Sequence, residues 1–426
     1  MKELSAKLIR IATSMARHAI GRPMRIAVTG LTIAAASLGW LPPAIAAPGS
    51  WTQKADMPLP TSAPASCVVD GILYVIGGHY PHTTPLRTVL AYNPGTDSWT
   101  RKTDMPTARR FLAAAAVDEI IYVVGGGASG AFPGVPLKTM EAYYPKTDTW
   151  VAKADMPTAR QLLAACTVDG IIYVIGGGTD FDHPYSTVEA YDPKTNQWSR
   201  KRDLPKPLLW LTASVADGRV YAFAATKPMA EHPSETFTYD PTADFWTAKA
   251  QFSPWSVGLM SSTVDGIIYL FGGMTPTYGG HDFVLAYDPA QDRFTARRKM
   301  PRTRMTAACA AIDGKIYLAG GISAEPIVHP GAVYYRILDV FDPEGGVTPQ
   351  ILSLTCESTN RIRLVWEAEA GFKYGVESSP DILTNRWTRV TVPTGSTVTA
   401  TNDLVETSCL VTPGEPRRFY RVLEAN

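Results

Sequence analysis

The chain has 426 residues, of which 45% are hydrophobic and 19% charged. That is an ordinary globular composition, long enough for two or three domains, and it excludes a disordered or low-complexity chain. Forty basic and 39 acidic residues give a formal charge of +1. The first 46 residues carry six positive charges and one negative, so the remainder stands at −4. Neither value supplies the basic face that nucleic-acid binding requires.

Residues 1–46 read as an export signal. Lys2, Lys7, Arg10, Arg17, Arg22 and Arg25 make a basic region. An apolar run follows from Ile26 to Trp40, and Ala44-Ile45-Ala46 is a small-x-small cleavage site. Met24 is an alternative start to Met1. The apolar run is short for a membrane span, and no later stretch is long and apolar enough for one. The expected product is an exported protein, periplasmic, secreted or surface-bound, without a transmembrane span.

From residue 47 the chain repeats. Double glycines stand at 77–78, 125–126, 176–177, 272–273 and 320–321, in steps of 48, 51, 96 and 48 residues. The 96 is two steps of 48, and Ala224-Ala225 holds the place between. Trp51, Trp99, Trp150, Trp198, Trp246 and Phe294 follow the same spacing. So do the Tyr/Phe-x-Pro triplets that begin at Tyr92, Tyr143, Tyr191, Tyr239, Tyr287 and Phe341. A period near fifty residues indicates a ring of β-sheets.

Each unit has room for four short strands. In the third, "LLAACTVD" is the innermost, then "GIIYVIGG", "TVEAYDP" and "QWSRKRDLP". The inner runs are almost continuously apolar, as strands covered on both faces should be. The chain enters at Trp51 before any glycine pair, and the last unit lacks a closing aromatic strand. Pairing the two ends completes six units and hides two sheet edges.

The glycine pair, Tyr-Asp-Pro, Trp and Met-Pro together resemble the kelch repeat family over about residues 51–346. The resemblance implies an all-β chain: a six-bladed kelch-type β-propeller over 47–346, closed by its N-terminal strand. Residues 347–426 lose the period. Runs such as "RIRLVW", "FKYGVES" and "RRFYRVL" give six or seven strands, which resemble a small fibronectin- or immunoglobulin-like β-sandwich.

Five cysteines are present. Cys67, Cys166 and Cys309 fall in innermost strands as small hydrophobes. Cys356 and Cys409, in the tail, are a possible disulfide in an oxidising compartment.

Two loop sets of such a ring share one face, and the candidate ligand-binding residues lie there. The Met-Pro turns carry Arg109, Arg110, Arg160, Arg302 and Arg304, with Trp210 and Trp255 in units four and five. An arc of guanidinium groups opposite two indoles suits an acidic or sugar-like ligand. Met-Pro-x-x-Arg is equally a repeat feature that could serve turn geometry. The loops after the glycines hold His183, His232 and His281, spaced 49 apart. No unit has metal-ligand spacing, so no metal or other cofactor is expected.

No catalytic constellation is legible, and the expected function is a binding or interaction module for a glycan or protein. The kelch resemblance also implies an alternative, a carbohydrate-active enzyme like the exported sialic-acid epimerases or, less closely, the galactose-oxidase-like copper enzymes. The latter's copper ligands find no matching motif here.

Overall fold

The computed structural model describes residues 49–80, 84–128, 134–180, 182–224, 234–274, 280–323 and 333–345, with seven further strands between 351 and 424. The proposed signal at 1–46 lies outside the described residues. Twenty-four strands form six antiparallel four-stranded sheets. The innermost strand of each sheet lies against that of the next, and the sixth lies against the first. The molecule is therefore a six-bladed β-propeller.

Blade 3 shows why these sequences make blades. Its strands are Ala164–Val168, Ile171–Ile175, Val188–Asp192 and Gln197–Lys201. The second and third are buried along nearly their whole length, and the fourth is mostly exposed. Asp169 and Gly170 both have positive φ, 50° and 75°, as a two-residue hairpin turn between right-twisted strands demands.

The glycine pair is the docking point for the following blade. Gly176 and Gly177 have φ of 57° and 82°. A Cβ on Gly176 would stand 2.6 Å from the carbonyl oxygen of Leu208, on the turn entering blade 4. The amide of Gly177 donates to that same oxygen at 2.8 Å. Gly78 and Arg109, Gly126 and Arg160, Gly273 and Arg304, and Gly321 and Thr61 repeat the bond. Blade 6 thus docks on blade 1 by the same device.

Tyr-Asp-Pro and Trp serve the other side of the joint. Tyr191 donates to Asn196 Oδ1 at 2.7 Å, and Asn196 accepts the amide of Ala154, at the end of blade 2, at 3.0 Å. Trp198 Nε1 donates to the carbonyl of Ala154 at 2.9 Å. One residue of the preceding blade is held by both its amide and its carbonyl. Asp97 with Trp99, Asp148 with Trp150, and Asp244 with Trp246 make the same clamp on Ala55, Thr103 and Arg202. Blade 5 has Phe294, which has no N–H to give, and keeps only the Asp292 half. Phe therefore fits the site, so Trp198→Phe should cost only the hydrogen bond, about 1 kcal/mol in urea unfolding. A loss above about 3 kcal/mol would mean that the indole is also needed for packing.

The sixth sheet is composite. Ala308–Ile312, Lys315–Ala319 and Leu338–Asp342 come from the end of the propeller, and Ser50–Lys54 supplies the outermost strand. The register runs from Ser50 opposite Asp342 to Lys54 opposite Leu338. Trp51 packs on Phe341 and Phe271, with ring centroids 5.0 and 6.0 Å apart.

In the tail, Ile351–Ser358, Arg361–Glu367 and Leu404–Leu410 form one antiparallel sheet. Lys373–Ser379 pairs with Thr388–Arg389, Val398–Thr399 and Phe419–Glu424 in a second. Cys356 and Cys409 both stand opposite Ile362, on either side of the central strand. That register separates their backbones by two strand spacings, roughly 10 Å. A disulfide spans Cα atoms about 4.4–6.8 Å apart, so this pairing does not suit one.

Candidate functional site at the mouth of the ring

The arginine arc is not a ligand rim. Arg109, Arg160 and Arg304 are fully buried. Each turns into its own blade and meets a carboxylate on the third strand. Arg109 bonds Glu141 at 2.8 Å, Arg160 bonds Glu189, and Arg304 bonds Asp339 at 2.5 Å. Arg109 and Arg160 also donate to the first-glycine carbonyls, of Gly125 at 3.0 Å and Gly176 at 3.1 Å. Thr61 and Ser256 reach the carbonyls of Gly77 and Gly272 in the same way, at 3.1 and 3.0 Å. The acid position is Glu141, Glu189 and Asp339 in blades 2, 3 and 6, and Leu90, Phe237 and Leu285 in blades 1, 4 and 5. Arginine stands in the turn only where a carboxylate waits opposite. This covariation within one chain is visible in the sequence once the strands are aligned. Arg302, a quarter exposed, lies 3.6 Å from Asp339 and belongs to the same pair.

The histidines separate too. His183 is largely exposed, and its Nδ1 lies 2.7 Å from Asp180, whose carboxylate also accepts the amides of Asp182 and His183. This is a self-contained turn. His281 occupies the place of Tyr185 rather than His183. Tyr185 and His281 both donate their amides to a second glycine, Gly177 and Gly273, and accept from the next turn. Its Nε2 donates to the Trp255 carbonyl at 3.3 Å, and burial lowers its pKa. His232 lies outside the described residues. Among the described residues, no group of three or more His, Cys, Asp or Glu could hold a metal ion.

What converges instead is the mouth of the central channel. Ala63, Phe111, Leu162, Trp210, Gly258 and Thr306 occupy equivalent places, all with φ between 49° and 67°. Backbone bonds join five of the six neighbouring pairs: Ala63 N to Thr306 O, Phe111 N to Ala63 O, Leu162 N to Phe111 O, Trp210 N to Leu162 O and Thr306 N to Gly258 O, at 2.9–3.1 Å. Five residues that are not glycine hold this left-handed conformation, at about 1 kcal/mol or more each. This run of bonds is what keeps them there.

Just above lie paired positions. Backbone bridges join Ser62 to His79, Arg110 to Gly127, Gln161 to Gly178, Val257 to Met274 and Met305 to Ile322. Leu209 precedes Trp210 in the same way in blade 4. The mouth is therefore two-sided. Blades 1–3 bring Ser62, His79, Arg110 and Gln161. Blades 4–6 bring Leu209, Val257, Met274, Met305 and Ile322, the last three packed with Trp210 and Tyr334.

His79 is the centre of the polar side. It is 1% exposed and neither ring nitrogen has a hydrogen-bond partner. Phe111 and Tyr334 flank its ring at 5.6 and 5.7 Å. Gln161, fully buried, ties two neighbouring loops by donating to Gly134 O at 3.1 Å and Thr179 O at 2.7 Å. Its Oε1 accepts nothing, and Trp255 Nε1 donates to nothing. Such orphaned atoms cost about 1–3 kcal/mol each. Arg110 is buried beside His79, with Nη2 close to Gly134. His79, Gln161 and Tyr334 carry no repeat motif, so only the tertiary structure singles them out.

Burial, and then the Arg110 charge, push the His79 pKa down to about 3. The unfolded chain takes up this proton near pH 6.5. Between those values the unfolded state binds more protons, so stability falls as pH drops through about 6.5, by about 1.4 kcal/mol per unit. His79→Phe should remove this component. The stability difference between variant and wild type in urea unfolding should then shift by about 2 kcal/mol between pH 7 and pH 5. A difference that does not change with pH would place the titrating group elsewhere.

Residues 49–224 match the family model of the KLHDC2/KLHL20/DRC7 Kelch-repeats domain. Among solved structures the chain is similar to that of YjhT, with 16% identity, a TM-score of 0.56, and coverage of 66% of this chain and 95% of that one. This likeness is one of fold. No curated protein sequence matches the chain. Kelch repeats and a six-bladed β-propeller are thus supported by sequence and structure alike.

Proposed function

We propose that the protein is an exported binding module whose loop face recognises a glycan or a protein. The kelch-propeller fold suggests binding or interaction in general. The observation that carries the finer reading is the contrast between joints and mouth. The inter-blade joints repeat from blade to blade, whereas the mouth differs in every blade and leaves polar atoms unused. Around it, blades 6, 1 and 2 expose Leu59, Tyr80, Val135 and Val333, with Tyr80 packed against Tyr334 at 5.3 Å. Exposed apolar side chains gathered on one loop face are a feature of interaction surfaces.

In this reading residues 1–46 direct export and are removed. Residues 347–426 form a fibronectin- or immunoglobulin-like sandwich that serves as spacer or surface attachment. Among the described residues, no helix is long and apolar enough to cross a membrane. The test is a glycan array and a pull-down from culture supernatant, with residues 47–426 as bait beside a Tyr80→Ser, Val333→Ser variant. A glycan or protein retained by wild type and lost by the variant is the expected result. Equal retention, or none by either, overturns the reading.

A further inference from the structure

We infer that the loop face over blades 6, 1 and 2 docks an acidic protein segment that also presents apolar side chains. This rests on the binding reading above and names the class of partner for the same face.

Charge is divided within that face. The residue two places before the third strand is Arg87, Lys138, Ser186, Asp282 and Arg336 in blades 1, 2, 3, 5 and 6. The five positions are equivalent, since each carbonyl accepts the amide of a buried Met, or of Leu204, on the next turn. Cations thus stand on three adjacent blades, and a serine and an aspartate on the far side. Lys138 is matched by Asp155 at 3.4 Å. Arg87 and Arg336 donate instead to the carbonyls of Pro106 and Met57, which are neutral and leave both charges standing. Arg302 and Arg304 share one carboxylate, Asp339, which leaves a third. Asp56, with Gln53 3.5 Å away, offsets one of the three. In blade 3 the loop after the glycines carries Asp180 and Asp182.

Exposed apolar side chains gather on the same three blades. Leu59 follows Met57 by two places, where the turns into blades 2, 3, 4 and 6 have Thr107, Thr158, Lys206 and Arg302. Val135 and Val333 precede the bridged loop residues Pro136 and Tyr334, where blades 1 and 3 have Thr84 and His183. Both valines are more than half exposed. Blade 1, between them in the ring, adds Tyr80, edge-on to Tyr334 at 5.3 Å.

This combination selects among anionic partners. Aliphatic groups fit the side chains of a protein and offer no stacking face to an acidic sugar. An anionic membrane would press on the whole loop face, and Asp180, Asp182 and Asp282 would oppose it. A segment no wider than three blades meets the cations and misses those acids. The opposite face carries an exposed aspartate in the first hairpin of every blade, from Asp70 to Asp313, so it repels the same partner. The chain also enters and leaves the ring on that opposite face, with Ser50 paired to Asp342, and the loop face is clear of both connections.

The experiment is selection of a random peptide library displayed on phage against residues 47–426. Peptides rich in Asp and Glu that also carry Leu, Val or aromatic residues should be enriched. Arg87→Gln with Arg336→Gln keeps an N–H donor at each place and removes both charges. Leu59→Ser with Val135→Ser removes apolar surface that is already exposed. Each double variant should bind the enriched peptides about fivefold more weakly in fluorescence anisotropy, with a thermal midpoint within about 3 °C of wild type. Raising salt from about 0.1 to 0.5 M should weaken binding to wild type by a similar factor. Enriched peptides without an acidic bias, or peptides held equally by both double variants, overturn the inference. So does sedimentation with phosphatidylglycerol vesicles when no peptide is enriched, which would mean a membrane contact. If no peptide is enriched but the glycan array gives a ligand that Tyr80→Ser, Val333→Ser loses, this inference fails and the binding module stands. If nothing is retained in either experiment, both fail.

Discussion

Replacing Arg160 by leucine should destabilise the propeller by about 3–5 kcal/mol, because Glu189 would be left as a buried, unpaired carboxylate. Glu189 is 3% exposed, and its Oε1 has only the Thr158 hydroxyl for company, at 2.7 Å. The double variant Arg160→Leu, Glu189→Phe should recover most of that loss and unfold within about 2 kcal/mol of wild type. The molecule already contains this exchange. Blade 4 carries Leu208 and Phe237 at the two equivalent positions, packed into the same apolar cluster. A double-mutant cycle in urea unfolding reads both values. If the double variant is no more stable than Arg160→Leu alone, the pair is not an interchangeable unit. The guanidinium bonds to the carbonyls of Gly176 and Thr187 would then be the larger part of its role.

Removal of residues 47–56 should have a larger effect. The edge of Leu338–Asp342 would lose five paired residues, and Phe341, now fully buried, would lose Trp51. A large buried aromatic is worth about 3–5 kcal/mol, and each lost backbone bond about 0.5–1.5 kcal/mol. Together these approach the whole stability of an ordinary domain, about 5–15 kcal/mol. The truncated chain should show no cooperative unfolding transition. It should also self-associate through the exposed strand edge, which light scattering after size-exclusion chromatography would detect. A monomer that melts like wild type would mean that the N-terminal strand is dispensable to the ring.

Much of the propeller could be read from the sequence because its rules are local and repeated. Strand periodicity, Asp-Gly turns and glycine pairs depend on neighbours in the chain, and six registered copies separate them from chance. The same regularity misled about the site. Arg109, Arg160 and Arg304 recur like ligand contacts, yet they recur because each blade needs its turn pinned. Their partners lie 29–35 residues away, and only strand register shows which acid faces which arginine. His183 and His281 looked equivalent at two steps of 49 residues. A two-residue offset in the loops places one in an exposed turn and the other against Trp255.

The number of blades, the strand order within each and the repeated residues at the joints are legible in the chain. These follow from hydrophobic alternation and turn chemistry, which act over a few residues. The tertiary structure alone decided what the ring does with its leftovers. Whether a buried polar group is paired depends on groups far away in the chain. No local pattern could tell that Arg160 is satisfied while His79 and Gln161, on blades 1 and 3, are not.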